Sequence, residues 1–74
     1  MVSRKTTIHY NREQDQWCVK LNERMYPLHC GESFLLHIGK TTFSCQLELD
    51  ANWYVIVQET PFVLHPTTIY SVSM

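Results

Sequence analysis

The stretch Thr41-Thr42-Phe43-Ser44-Cys45-Gln46-Leu47-Glu48-Leu49 decides the fold class. Phe43, Cys45, Leu47 and Leu49 fall at every second position, with Thr42, Ser44, Gln46 and Glu48 between them. Successive side chains of an extended chain point to opposite faces, so this alternation describes a strand with one face in a core and the other in water. A helix would need apolar residues at three- and four-residue spacing. No window of the chain supports a long one.

The same period extends outward from that strand. Before it, Phe34, Leu36 and Ile38 alternate with Leu35 and His37, and Gly39-Lys40 offers a two-residue turn between the two strands. After it, Asp50-Ala51-Asn52 is a short polar turn into Trp53-Tyr54-Val55-Ile56-Val57. That run is apolar on both faces, which predicts the most enclosed strand of the sheet. Nearer the start, Ile8 and Tyr10 share a face, and Trp17, Val19 and Leu21 alternate with Cys18 and Lys20. Asn11 to Gln16 between them reads as a hairpin loop. Gly31 is placed to supply a positive φ where a turn launches the strand from Ser33. Pro61 and Pro66 bracket a piece that reads as irregular, Asn22 to Cys30 reads as a loop or one helical turn, and Thr67 to Val72 is a last β-rich segment.

No linker, low-complexity stretch or internal repeat is read along the chain. The expected architecture is one all-β domain over residues 1–74. It is a small antiparallel barrel or strongly curved sheet of five to six strands, SH3-like or similar, since closure protects the edges that an open sheet exposes.

Composition narrows the function classes. Hydrophobic residues make up 45% and charged residues only 18%, too apolar and too weakly charged for a disordered chain. Six Lys and Arg against seven Asp and Glu give a formal net charge of −1, with the signs read as scattered and without a block. A strongly basic domain made for a phosphate backbone is therefore disfavoured. The longest apolar run, Trp53 to Val57, is far short of a membrane span. Three cysteines without close spacing make a poor disulfide framework, which suggests a reducing, cytoplasmic setting.

Chemistry-bearing residues give no strong constellation. Zinc sites pair ligands at short spacing. Here His29 and Cys30 are adjacent, so an extended chain points them apart, and His9, His37 and His65 stand alone. Cys30 as a nucleophile would need a helix N-terminus or a nearby cation to lower its pKa, and neither is predicted. No second glycine follows Gly31 to cradle a phosphate. The expectation is a protein without catalytic residues, metal or cofactor. The aromatic residues exceed what a core this small holds, and adjacent Trp53 and Tyr54 must face opposite sides of their strand.

The order of these features resembles a family of small uncharacterised proteins of Gram-positive bacteria and their plasmids and phages. The residues that carry the resemblance are Trp17, then Leu28-His29-Cys30-Gly31-Glu32-Ser33-Phe34, then Glu48 ahead of Trp53-Tyr54. Members tend to show Cys-Gly-Asp or Cys-Gly-Glu before a strand, and a later Trp-Tyr pair. This chain has Thr41-Thr42-Phe43 where the family tends to place a Trp, and a less basic C-terminal segment. The resemblance implies a small β fold and a mobile-element setting, with no activity to transfer.

The function expected from these residues is a non-enzymatic binding or regulatory module acting through protein contacts. One form is a phage- or plasmid-associated accessory or inhibitor protein. Tyr26, Trp53 and Tyr54 are the candidate partner-binding residues. One alternative is single-stranded nucleic-acid binding, with Lys20, Arg24 and Lys40 beside exposed aromatics. Another is a structural homo-oligomer.

Overall fold

A computed structural model describes residues 4–74. The chain is all-β and antiparallel, as the alternation predicts. It forms β1 (Lys5–Asn11), β2 (Gln16–Leu21), β3 (Arg24–Pro27), β4 (Ser33–Ile38), β5 (Thr41–Leu49), β6 (Trp53–Val57), β7 (Thr60–Val63) and β8 (Tyr70–Ser73). These eight strands, rather than five or six, make one sheet in the order β3-β2-β1-β8-β4-β5-β6-β7. The sheet is not closed, because β3 and β7 each pair on one side only. The two strands absent from the sequence reading are these edge strands, each four residues long and each carrying a proline.

The sheet buries one face on itself. Ile8, Trp17, Val19, Leu36, Leu47, Val55 and Val72 all lie on this inner face and are fully or almost fully buried. The curl is visible in one contact: Trp53 of β6 donates its indole N–H to Asp15, beside β1 and β2, at 3.2 Å. In a flat sheet β1 and β6, four spacings apart, would be separated by about 19 Å.

Contrary to the sequence reading, the chain contains an internal repeat. Trp17 to His29 and Trp53 to His65 match at Trp17/Trp53, Val19/Val55, Glu23/Glu59, Leu28/Leu64 and His29/His65. The offset is 36, the same as that between His37 and Ser73. Backbone geometry follows it. Asn22 and Glu23 form a turn with positive φ, as do Gln58 and Glu59. The β2–β3 pairing, from Cys18↔Pro27 to Leu21↔Arg24, is reproduced from Tyr54↔Val63 to Val57↔Thr60. The bond Leu28 N–H to Trp17 O (2.8 Å) is matched by Leu64 to Trp53 (3.1 Å), and Glu32 to His29 (3.1 Å) by Thr68 to His65 (3.0 Å).

Exchanging β1–β4 with β5–β8 reverses the strand order onto itself, which is what a two-fold relation between the halves requires. Its axis passes through the β4–β8 pair, where Leu36 faces Val72, its own counterpart. The Gly39-Lys40 turn joins the halves, with Gly39 at φ 60°, and Gly31 takes the expected positive φ, at 89°. Across the axis, Arg4 and Met74 exchange both backbone hydrogen bonds, at 3.3 and 3.0 Å. They stand where Ile38 and Thr41 pair in the other half. The relation is looser in β1 and β5, which are seven and nine residues long.

The apolar run Trp53–Val57 is not the most enclosed strand. β6 lies next to the edge of the sheet, and only Trp53 and Val55 are buried. Tyr54 and Ile56 point to the outer face, where no second layer of the described residues covers them.

Candidate functional site

The outer face is where the two halves differ. In the first, β2 and β3 present the cross-strand pairs Cys18–Pro27 and Lys20–Met25. In the second, the same positions on β6 and β7 hold Tyr54–Val63 and Ile56–Pro61. The second set is an apolar patch, whereas the strands between the two edge hairpins carry mostly Thr, Ser, His and Gln on this side, with Leu35 and Glu48. Charge divides along the same line. All six Lys and Arg lie at or before Lys40, while Glu48, Asp50 and Glu59 follow it. The half bearing the apolar patch therefore has no Lys or Arg. This charge split and the repeated Trp-x-Val to Leu-His spacing were both open to sequence reasoning, which looked for runs of like charge and missed them.

The expected partner-binding residues are not brought to one surface. Tyr26 is on β3 and points to the inner side at the sheet edge, 42% exposed. Phe62 occupies the equivalent place on β7, 39% exposed. Trp53 is buried on the inner face, and Tyr54 alone stands on the outer face, half-buried, opposite Glu48. The basic residues are also spread. Lys20 lines a groove of about 830 Å³ over β1, β2 and β3, Arg24 sits one position along from Met25 and so on the opposite face, and Lys40 is in the β4–β5 turn.

At the mouth of the curled sheet, Asp15 accepts hydrogen bonds from the Tyr10 hydroxyl at 2.5 Å and from Trp53 Nε1 at 3.2 Å. The bond to this carboxylate, with some desolvation, raises the Tyr10 phenol above its ordinary 10.0. Trp17, the counterpart of Trp53, packs between Tyr10 and Tyr70 at ring distances of 5.6 and 5.7 Å. Its buried Nε1 has no hydrogen-bond partner among the described residues. A small cleft of about 230 Å³ lies among these groups.

Near the axis, His37 Nε2 lies 2.6 Å from Ser73 Oγ and its Nδ1 lies 2.9 Å from Thr42 Oγ1. A hydroxyl next to an imidazole suggests a nucleophile and its base, but the third group of that arrangement is normally a carboxylate that orients the ring. Here it is Thr42, and Ser73 is only 4% exposed. Cys30 is exposed, whereas Cys18 and Cys45 are buried. Burial raises both of the latter thiols, Cys45 from 9.0 to about 11. Among the described residues no group of three His, Cys, Asp or Glu is arranged to hold a metal ion, and no helix is long and apolar enough to cross a membrane.

An open, antiparallel, eight-stranded sheet made of two like halves is the class that this geometry defines. The model of one family, the domain of unknown function DUF5348, matches residues 6–74, and the chain belongs to that family. No curated protein and no solved structure matches it.

Proposed function

We propose that the protein is a non-enzymatic binding module that docks a protein partner on the outer face of β6 and β7. The observation that carries this reading is the quartet Tyr54, Ile56, Pro61 and Val63, which leaves apolar side chains on the unlayered side of the sheet. Packing does not require it, because the other half folds the same way with Lys20 and Cys18 at the positions of Ile56 and Tyr54. Aromatic and aliphatic anchors within a polar rim are the usual centre of a protein interface.

The rim supports a reading of the partner's chemistry. Glu48 stands opposite Tyr54, and Glu59 lies in the turn that ends the patch. The complementary surface is an apolar segment flanked by Lys or Arg. The family resemblance supports a phage- or plasmid-borne accessory factor acting in the cytoplasm, where an inhibitor of a host protein would meet such a surface.

Affinity capture from nuclease-treated host lysate tests the reading. A polypeptide retained by the wild-type chain is expected to be lost with Tyr54→Asp and kept with Met25→Asp, which alters the corresponding face of the other half. Loss with Met25→Asp and retention with Tyr54→Asp would refute the assignment.

A further inference from the structure

We infer that a basin on the outer face, above β1, β8, β4 and β5, is a binding site for a phosphate-type oxyanion. The basin has a volume of about 350 Å³ and is lined by Lys5, His37, Gly39, Lys40, Thr42 and Ser71 among others, with no carboxylate among the described residues of its wall. Its floor is one row of the sheet. Ser71 faces His37 across β8 and β4, and His37 faces Thr42 across β4 and β5. Lys5 and Lys40 approach that row from its two sides, one from β1 and one from the β4–β5 turn.

The row is ordered in a way that the fold alone does not require. His37 and Ser73 are the same position of the two halves and meet across the axis through Nε2 and Oγ at 2.6 Å. With Thr42 Oγ1 2.9 Å from Nδ1, both ring nitrogens are held and the ring cannot turn away from the basin. The two hydroxyls fix the imidazole beneath the basin, while the Lys5 and Lys40 ammonium groups and Ser71 Oγ line the space above it. Two exposed ammonium groups over a fixed imidazole, with no competing acid, suit a compact multiply charged oxyanion better than a single carboxylate.

The two-fold relation supplies an internal control. Across the axis, the counterpart of Ser71 is Leu35 and the counterpart of His37 is Ser73. The row across the axis, Lys5-Ser73-Leu35-Ser44, therefore has Leu35 in place of Ser71 and carries no imidazole.

The test is a titration with inorganic phosphate, in phosphate-free buffer at low ionic strength, followed by NMR shifts of the wild-type chain. Saturable shifts are expected at His37, Gly39, Lys40, Thr42 and Ser71, with β6 and β7 unmoved. Lys40→Gln is expected to weaken binding about fivefold or more, and Lys20→Gln by less than about twofold. Both lysines are exposed, so folding does not confound the comparison. A parallel titration with phenyl phosphate separates the sources. Comparable binding assigns the site to phosphate esters, and its loss assigns the site to the free ion. Shifts that never saturate, or equal loss with Lys20→Gln and Lys40→Gln, overturn the inference. Neither result bears on the β6–β7 surface.

Discussion

Leu36 and Val72 face one another across the β4–β8 pair, and they are the same position of a strand unit written twice in the chain. Both are fully buried. Each half has four strands, which alone would leave the inner faces of β4 and β8 open to water. Joining the halves about this pair makes one continuous core, and Leu36 and Val72 sit at its centre.

Truncation at that centre is therefore expected to be costly. Leu36→Ala removes a fully buried side chain and should destabilise the fold by about 2–5 kcal/mol. Ile38→Ala, two residues on in the same strand but 44% exposed, should cost less than about 1 kcal/mol. Urea unfolding of both variants and of Val72→Ala checks this. In a double-mutant cycle, Leu36 and Val72 should couple by about 0.5–3 kcal/mol.

The edges of the sheet are blunted by proline. Hydrogen-bonded and non-hydrogen-bonded pairs alternate along an antiparallel ladder. With Leu28 bonded to Trp17 and Leu64 to Trp53, the backbone groups of Met25 and Pro27 on β3, and of Pro61 and Val63 on β7, point outward. One of the two outward positions on each edge thus has no N–H to offer another strand. The double variant Pro27→Thr, Pro61→Thr is expected to self-associate more than the wild type in sedimentation velocity. An unchanged distribution would show that the prolines do not guard the edges.

The cysteines separate by burial. Cys30 should react with a thiol reagent in the native protein, while Cys18 and Cys45 should react only on unfolding. Folding raises the Cys45 thiol from 9.0 to about 11, so the folded state resists formation of the thiolate. That contribution is whole below 9.0 and is lost as pH climbs through about 11. Thermal stability should fall across this window, and Cys45→Ala should flatten the fall. Cys18 adds in the same direction.

Most of the fold is legible in the sequence because β1, β2, β4 and β5 carry period-two patterning. Phe43 to Leu49 and Trp17 to Leu21 appear in the structure where alternation places them. The strands that escape are β3 and β7, which hold no buried residue and each include a proline. Their existence is set by the Asn22-Glu23 and Gln58-Glu59 turns, which fold each segment back onto its neighbour. Positive φ in Glu23 and Glu59 is not suggested by residue type, since Gly, Asn and Asp are the usual occupants. The apolar run of β6 was ambiguous for a different reason. An apolar outer face reads the same whether a second layer covers it or a partner does. Tyr54 stands on that outer face, whereas Trp53, adjacent in sequence, turns inward to Asp15.

The repeat itself is tested most directly by circular permutation. A chain opened between Gly39 and Lys40, with Met74 joined to Arg4 by a two-residue Asn-Gly turn, exchanges the order of the halves and keeps every strand pair. Because Arg4 and Met74 already exchange backbone hydrogen bonds at the position equivalent to that turn, the permutant is expected to unfold cooperatively. Its amide-exchange protection should be the same in β4 and β8 as in the parent chain. A permutant without protected β4 and β8 amides would contradict a two-fold relation between equivalent halves.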